Sequence, residues 1–115
     1  LLLCSLSSAL AQESKPESFG AFVDRITDVE VVISGHIGFG EIMEGFTFYD
    51  EKGGSFSATI DSGRKDRMTI ETECKVGFLS GREDMCKIEG SASTYVEDGR
   101  LYLSIHDINS LRAPN

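Results

Sequence analysis

The sequence predicts a mainly β protein in which five strands close into a small Greek-key barrel, with a short N-terminal helix and a connector after strand 3. Two observations predict this architecture. Apolar residues alternate with polar ones over several short segments, which is typical of half-buried strands. Glycine-containing turns separate these segments, and the chain holds 12 glycines in only 115 residues. A chain of this length can form one compact domain with a single core.

The N-terminal segment is expected to direct export. Residues 1–11 resemble the apolar middle and end of a secretory signal peptide whose beginning is missing, and Ala9 and Ala11 occupy the small-residue positions that signal peptidase reads. We therefore expect cleavage after Ala11 and a periplasmic or secreted protein. The segment is too short to span a bilayer, and no other apolar run in the sequence approaches that length. Leu3 precedes Cys4 where a lipidated cysteine usually follows a small residue, which argues against a lipid anchor.

Residues 12–18 are polar and are predicted to be a disordered linker in front of a domain over 19–110. A short amphipathic helix is expected to open this domain, with Ser18 as its N-cap. Its apolar residues recur at i, i+3, i+4 and i+7: Phe19, Phe22, Val23 and Ile26. This spacing places them on one helix face, which we expect to pack on the barrel.

Three strands are predicted next. Period-two alternation indicates the first strand over 29–37, and the glycine-containing stretch 38–45 is expected to be a loop. The second strand covers 46–50 and the third 55–61, joined by a hairpin turn over 51–54 whose glycines accept a positive φ. The side chains expected to point into the barrel are Phe46, Phe48, Phe56, Ala58 and Ile60.

The connector over 62–73 has two open interpretations, a short helix or an irregular segment. Ser62 could cap a helix. Three β-branched residues in the same stretch favour extended chain instead: Thr69, Ile70 and Thr72.

Two further strands complete the predicted barrel. One is expected over 85–95, with Gly90 at a bend, and the other over 101–106, after a turn at 97–100. Leu101, Leu103 and Ile105 alternate in the last strand with outward-pointing residues, which include Tyr102 and His106. The resulting order of three strands, a connector and two strands is that of a five-stranded OB-fold barrel.

Two cysteines remain after removal of the signal peptide, and we expect them to form a disulfide in an oxidising compartment: Cys74 and Cys86. Closing a loop of roughly a dozen residues would stabilise the fold by about 3 kcal/mol. The alternative is a metal site, but the histidines, His36 and His106, are not at ligand spacing from either cysteine. The sequence therefore predicts neither a metal nor a cofactor.

The residues over 33–37 and 46–61 resemble the bacterial OB-fold family of small periplasmic proteins. The similarity consists of a strand that ends in a glycine and an aliphatic residue, an aromatic-rich strand, a turn with aspartate and glycine, and a strand that ends in Ile60 and Asp61. It is strongest over 19–61 and weaker to about residue 108. The resemblance implies an OB-fold, a link with stress tolerance and the binding of small ligands or ions. It implies no particular binding residues.

The charge of the chain disfavours nucleic acid as a partner. Its net charge is −8 and its pI about 4.6, and such a surplus of carboxylates repels phosphate backbones. The tightest basic cluster consists of Arg64, Lys65 and Arg67. Because acidic residues are interspersed with this cluster, we interpret it as a solvated surface.

The sequence contains no recognisable catalytic set, so we expect a protein that is not an enzyme. A Gly-x-Ser-x-Gly elbow is absent, and the nearest string, over 77–81, has the wrong spacing. Carboxylates and an arginine can support nuclease chemistry with a cation, and the candidates are Asp50, Asp61 and Arg64. Asp50 nevertheless suits the hairpin turn, and Asp61 suits the end of a strand.

The outer face of strands two and three is the usual ligand surface of OB-folds. Here it presents four residues: Thr47, Tyr49, Ser57 and Thr59. Hydroxyls around one ring suit a sugar or another small polar ligand, whereas one aromatic residue is too few for stacking single-stranded nucleic acid. Tyr49 could also simply shield the sheet surface.

The leading prediction is an exported, noncatalytic OB-fold binding protein for a small polar ligand or ion. The alternative is a protein–protein interaction module or a self-assembling module of the cell envelope.

Overall fold

The computed structural model describes residues 15–40, 45–77 and 80–114. The predicted signal peptide and its cleavage point lie outside these residues, as does the first part of the predicted linker. The described elements are, in chain order, α1 (Phe19–Ile26), β1 (Glu30–Gly40), β2 (Gly45–Asp50), β3 (Ser55–Ile60), α2 (Arg64–Glu73), β4 (Lys75–Val76), a 3₁₀ turn (Arg82–Asp84), β5 (Cys86–Glu97) and β6 (Arg100–Arg112).

Five of the strands close into a barrel. β1 pairs antiparallel with both β2 and β5, β2 pairs with β3, and β5 pairs with β6. The parallel pairing of β3 with β6 closes the circle. The two-residue strand β4 extends the sheet beside the end of β1. This strand order confirms the predicted OB-fold-like barrel, with α2 as the connector after strand 3.

The core consists of the inward-facing residues of the barrel strands together with one residue of α2. Buried residues recur at alternate positions in β1, β3 and β5, and Phe48 is the buried residue of β2, so the period-two predictions for these strands are confirmed. Ile70 of α2 is fully buried and joins the same cluster, which attaches the connector to the barrel. The most deeply buried large side chains are Ile37, Phe48, Ile70, Ile88 and Ile105.

Two inward-facing glycines lie where the backbone of one strand closely approaches the next. A β-carbon on Gly35 would lie 2.0 Å from the backbone oxygen of Tyr49, and one on Gly90 would lie 2.0 Å from the backbone oxygen of Asp107. The register of β5 and β6 shifts between Glu89 and Gly90, which marks a bulge. The barrel therefore bends at positions where no side chain fits.

The prediction of a loop over 38–45 is wrong at both ends. β1 continues to Gly40 and β2 begins at Gly45, because Gly38, Phe39 and Gly40 pair with the first residues of β2. Cross-strand pairing outweighs the weak strand preference of glycine here. Residues 41–44 lie outside the described part of the chain.

Helix α1 begins as predicted, since the Ser18 hydroxyl oxygen accepts a hydrogen bond from the Ala21 amide at 3.1 Å. The expectation that its whole apolar face packs on the barrel is wrong. Phe19 is 79% exposed and Phe22 38% exposed, while the half-buried residues of this face are in its second half. The reason is that α1 is attached at its C-terminal end.

Thr94 of β5 makes this attachment. Its buried hydroxyl donates to the carbonyl of Ile26 and accepts from the amide of Val29 at 3.0 Å. The end of the helix is thereby held on β5, and the first turn extends away from the barrel.

The connector is a helix over Arg64–Glu73, which decides between the two open interpretations. Its threonines are accommodated because Thr69 and Thr72 donate their hydroxyls to the carbonyls of Lys65 and Met68. Ser62 is not the cap, since Gly63 occupies that position and the buried Ser62 hydroxyl has no hydrogen-bond partner among the described residues.

Both predicted hairpin turns are present. Asp50 accepts a hydrogen bond from the Lys52 amide at 2.9 Å, and Gly53 has φ of 97°. Between β5 and β6, Asp98 and Gly99 form a two-residue turn with φ of 52° and 76°. Strand β6 then runs to Arg112, six residues beyond its predicted end, because it pairs with β5 over almost its whole length.

Candidate functional site

A cavity of about 670 Å³ opens on the outer face of the barrel, and we call it the outer-face cavity. The structure brings the four predicted ligand residues together in its lining: Thr47, Tyr49, Ser57 and Thr59. Further lining comes from other elements: Gly38 and Gly40 of β1, Gly45 and Phe46 of β2, Ala58 of β3, Val76 of β4, Met85, Tyr95 of β5 and Tyr102 of β6.

The lining follows from the register of the barrel. One row of direct cross-strand neighbours runs over its outer surface through all five barrel strands, in the order Gly38, Thr47, Ser57, Tyr102 and Tyr95. The parallel pairing of β3 with β6 is the step that places a tyrosine beside the hydroxyls of β2 and β3. Residues that are distant in sequence thus form one continuous surface.

Two tyrosines form an aromatic platform that the sequence analysis missed. The rings of Tyr95 and Tyr102 are stacked, with centroids 5.1 Å apart and an angle of 13° between their planes. The prediction that the site has one aromatic residue is therefore wrong, since three tyrosines line the cavity. The two-residue turn at Asp98 and Gly99 was the available signal, because it makes Tyr95 and Tyr102 direct partners.

Val76 and Met85 form an apolar wall beside Gly38. A β-carbon on Gly38 would lie 3.2 Å from a Val76 methyl and 3.3 Å from the Met85 Cγ. Cys74 and Cys86 form the predicted disulfide and are both buried. Because the two wall residues lie between these cysteines in sequence and close to them, the disulfide fixes both ends of the segment that carries the wall.

None of the described residues that line the outer-face cavity is charged. The hydroxyls of Thr47 and Ser57 make no hydrogen bond to any described residue, which leaves them available to a ligand. The Thr59 hydroxyl already donates to Asp61 at 2.7 Å. The described lining therefore offers hydroxyl groups and aromatic faces.

Two hydrogen-bonded carboxylates lie on the outer face of the barrel. Ser104 and Thr59 donate hydroxyls to Asp61 and lower its pKa. The hydroxyl of Ser93 and the ring of His106 likewise lower the pKa of Glu30, and His106 Nε2 lies 2.8 Å from a Glu30 carboxylate oxygen. Hydrogen bonds from neighbouring side chains therefore hold both carboxylates in place.

The other candidates for chemistry are not assembled into a site. Asp50 accepts from the backbone of its own turn, and His36 lies on the outer face between Tyr49 and Lys87. Within the described ranges, no three histidine, cysteine, aspartate or glutamate residues are grouped so that they could hold a metal ion.

The hydrogen bonds to Asp61 predict a pH dependence of stability. Because the pKa of Asp61 is lowered in the folded protein, its contribution is present above the unfolded value of about 3.9 and is lost as the pH falls through the folded value. We expect Asp61→Asn to lower the unfolding free energy at neutral pH and to flatten its decline below about pH 4. Urea unfolding at several pH values measures both effects.

Ser104→Ala is the matched variant for this experiment. It removes the main donor to Asp61 and should reproduce part of the flattening. Parallel pH profiles for the wild type and Asp61→Asn would show that this carboxylate does not couple folding to pH.

Neither of the two helices that the structure describes is long and apolar enough to cross a membrane. No protein-family model matches the chain, and neither a curated protein nor a solved structure matches it. The resemblance to the bacterial OB-fold family of small periplasmic proteins thus stays a prediction from the sequence.

Proposed function

We propose that the chain is an exported, noncatalytic binding protein whose outer-face cavity holds a small neutral ligand rich in hydroxyl groups, such as a sugar. The observation that carries this proposal is the composition of the cavity. It combines the available hydroxyls of Thr47 and Ser57 with three tyrosines, and its described lining contains no charged side chain.

The aromatic rings and hydroxyl groups of the outer-face cavity match the two kinds of surface that a sugar presents. A sugar ring has apolar C–H faces that pack on aromatic rings and hydroxyl edges that need hydrogen-bond partners. The stacked pair of Tyr95 and Tyr102 offers the aromatic surface, and the hydroxyls of β2 and β3 lie beside it in the same row. A volume of about 670 Å³ is within the usual range for small-molecule sites.

Export is supported by the signal-like residues 1–11 and by the disulfide, which persists in oxidising compartments. A noncatalytic role is supported by the lining of the cavity. Hydroxyl groups are present there, but no described lining residue is a histidine, carboxylate or lysine that could activate one of them as a general base.

We expect Tyr102→Ala to weaken the binding of a cognate saccharide about tenfold, or by ~1.4 kcal/mol, because it removes half of the aromatic platform. Tyr102→Phe keeps the ring and should retain most of the affinity. The measurement is titration calorimetry with a panel of neutral mono- and disaccharides.

Phe22→Ala is the matched control for the loss of an aromatic side chain, since Phe22 lies in α1 and does not line the cavity. Equal weakening by Phe22→Ala, or no binding by any saccharide, would contradict the proposal. Light scattering on the same samples tests the alternative, because self-association without saccharide binding would favour an interaction module.

A further inference from the structure

A second concave surface lies on the barrel where β1, β5 and β6 meet the 3₁₀ turn. The register makes His36 and Lys87 direct cross-strand partners, and Lys87 is in turn the partner of Arg112. Arg82 of the turn lies over the ring of Tyr49, 5.7 Å from its centroid, and Tyr49 is the other neighbour of His36. His36, Arg82, Lys87 and Arg112 line one cavity of about 480 Å³, which we call the basic cleft.

The cations of the basic cleft have no ion-pair partner within the described part of the chain. The chain has 19 acidic against 11 basic residues, so carboxylates are plentiful. Even so, Arg82, Lys87 and Arg112 form no ion pair with any residue in the described ranges. Like charges that face each other across strands destabilise a sheet. The arrangement of Lys87 beside Arg112 therefore carries an energetic cost that a bound anion would remove.

Among the described residues, the carboxylates around the basic cleft form no ion pair with its cations. Glu83 is the one acidic residue among the described lining of the basic cleft, and its carboxylate is folded against Gly81, 2.6 Å from where a β-carbon would be. Glu51 and Glu89 line a neighbouring cavity of about 280 Å³, to which Lys87 and Arg112 also contribute, and neither carboxylate forms an ion pair with a described residue. Glu51 there accepts a hydrogen bond from Ser34 at 2.7 Å.

We propose that the basic cleft is a binding site for a small oxyanion with two or more negative charges, carried by phosphate or carboxylate groups. Arg82 and Arg112 can each bind such a group through two parallel N–H donors, while Lys87 supplies a compact charge. The volume of the cleft fits a small molecule.

The anion site and the proposed neutral site are adjacent and distinct. Met85 lines both cavities, whereas Lys87 and Arg112 line only the basic cleft of the two. Tyr102 lines only the outer-face cavity of the two. The anion site therefore does not depend on the proposed binding of a neutral ligand.

The test is calorimetric titration with inorganic pyrophosphate and with citrate, each against sodium chloride of equal ionic strength. We expect saturable binding of at least one of them at one site per chain. The double variant Lys87→Ala/Arg112→Ala should weaken it by about tenfold or more, since each side chain contributes a charge-assisted hydrogen bond. Preference for pyrophosphate assigns the group as phosphate, and preference for citrate assigns it as carboxylate.

Arg64→Ala/Lys65→Ala is the matched control, because it removes the same charge from α2, at residues that do not line the basic cleft. Equal weakening by this control would overturn the proposal, as would the absence of binding beyond the salt reference. Lys87 and Arg112 are exposed, so both variants should fold. If the double variant does not fold, Lys87→Gln with Lys87→Arg as the charge-retaining partner provides the same comparison.

Discussion

Replacing Gly35 by alanine is expected to destabilise the protein by about 3 kcal/mol or more, because overpacking at a backbone contact forces two strands apart. The added β-carbon would lie 2.0 Å from the backbone oxygen of Tyr49. Gly35 faces the barrel interior in the stretch where β1 pairs with β2 on one side and with β5 on the other. A shift of β1 at this point therefore disturbs two ladders at once. Urea unfolding measures the loss.

Gly90→Ala should have a comparable effect, since its β-carbon would meet the backbone of Asp107 at the same distance. Gly20→Ala is the matched control. Gly20 lies in α1 with nothing within 4 Å of a β-carbon, so alanine there should be neutral or slightly stabilising. Equal stability of Gly35→Ala and Gly20→Ala would contradict the close backbone contact between β1 and β2 at Gly35.

Removing the disulfide is expected to cost about 3 kcal/mol of unfolding free energy. The bond joins residues 12 positions apart and restricts the unfolded chain accordingly. Cys74→Ala/Cys86→Ala is the suitable variant, because alanine leaves no polar group at two buried positions. The same change should weaken the proposed saccharide binding in the outer-face cavity, since it loosens the segment that carries Val76 and Met85.

Reduction under denaturing conditions followed by refolding in reductant provides the control for this variant. The wild type should then lose about as much stability as the alanine variant, whereas the variant itself should be unaffected by reductant. Intact-mass measurement after alkylation reports the thiols directly. Two free thiols in the purified wild-type protein would remove the basis of the prediction.

The sequence was sufficient to place four residues on one outer face because they belong to one hairpin: Thr47, Tyr49, Ser57 and Thr59. Thr47 and Ser57 are cross-strand partners in the ladder of β2 and β3, so period-two parity and a short turn place them on the same face. Tyr95 and Tyr102 could have been paired in the same way across their own turn. Their position beside Ser57 could not, because it depends on the parallel pairing of β3 with β6.

Helix α1 shows what a sequence pattern does not predict. The spacing of Phe19, Phe22, Val23 and Ile26 correctly predicted a helix with one apolar face. It could not show how much of that face is covered. Thr94 on β5 holds only the end of the helix, so Phe19 stays exposed. Periodicity describes a face, whereas burial depends on what lies opposite it.

Local sequence alone determined the existence of the barrel strands, the hairpin turns and inward residues such as Phe48, because each of these depends on side-chain alternation or turn chemistry. The tertiary structure decided the composition of both cavities. The row through Ser57 and Tyr102 arises when β3 pairs with β6 and the sheet closes on itself. The row through His36, Lys87 and Arg112 requires the long-range pairing of β1 with β5. Both pairings make neighbours of residues whose separation along the chain carries no periodic signal.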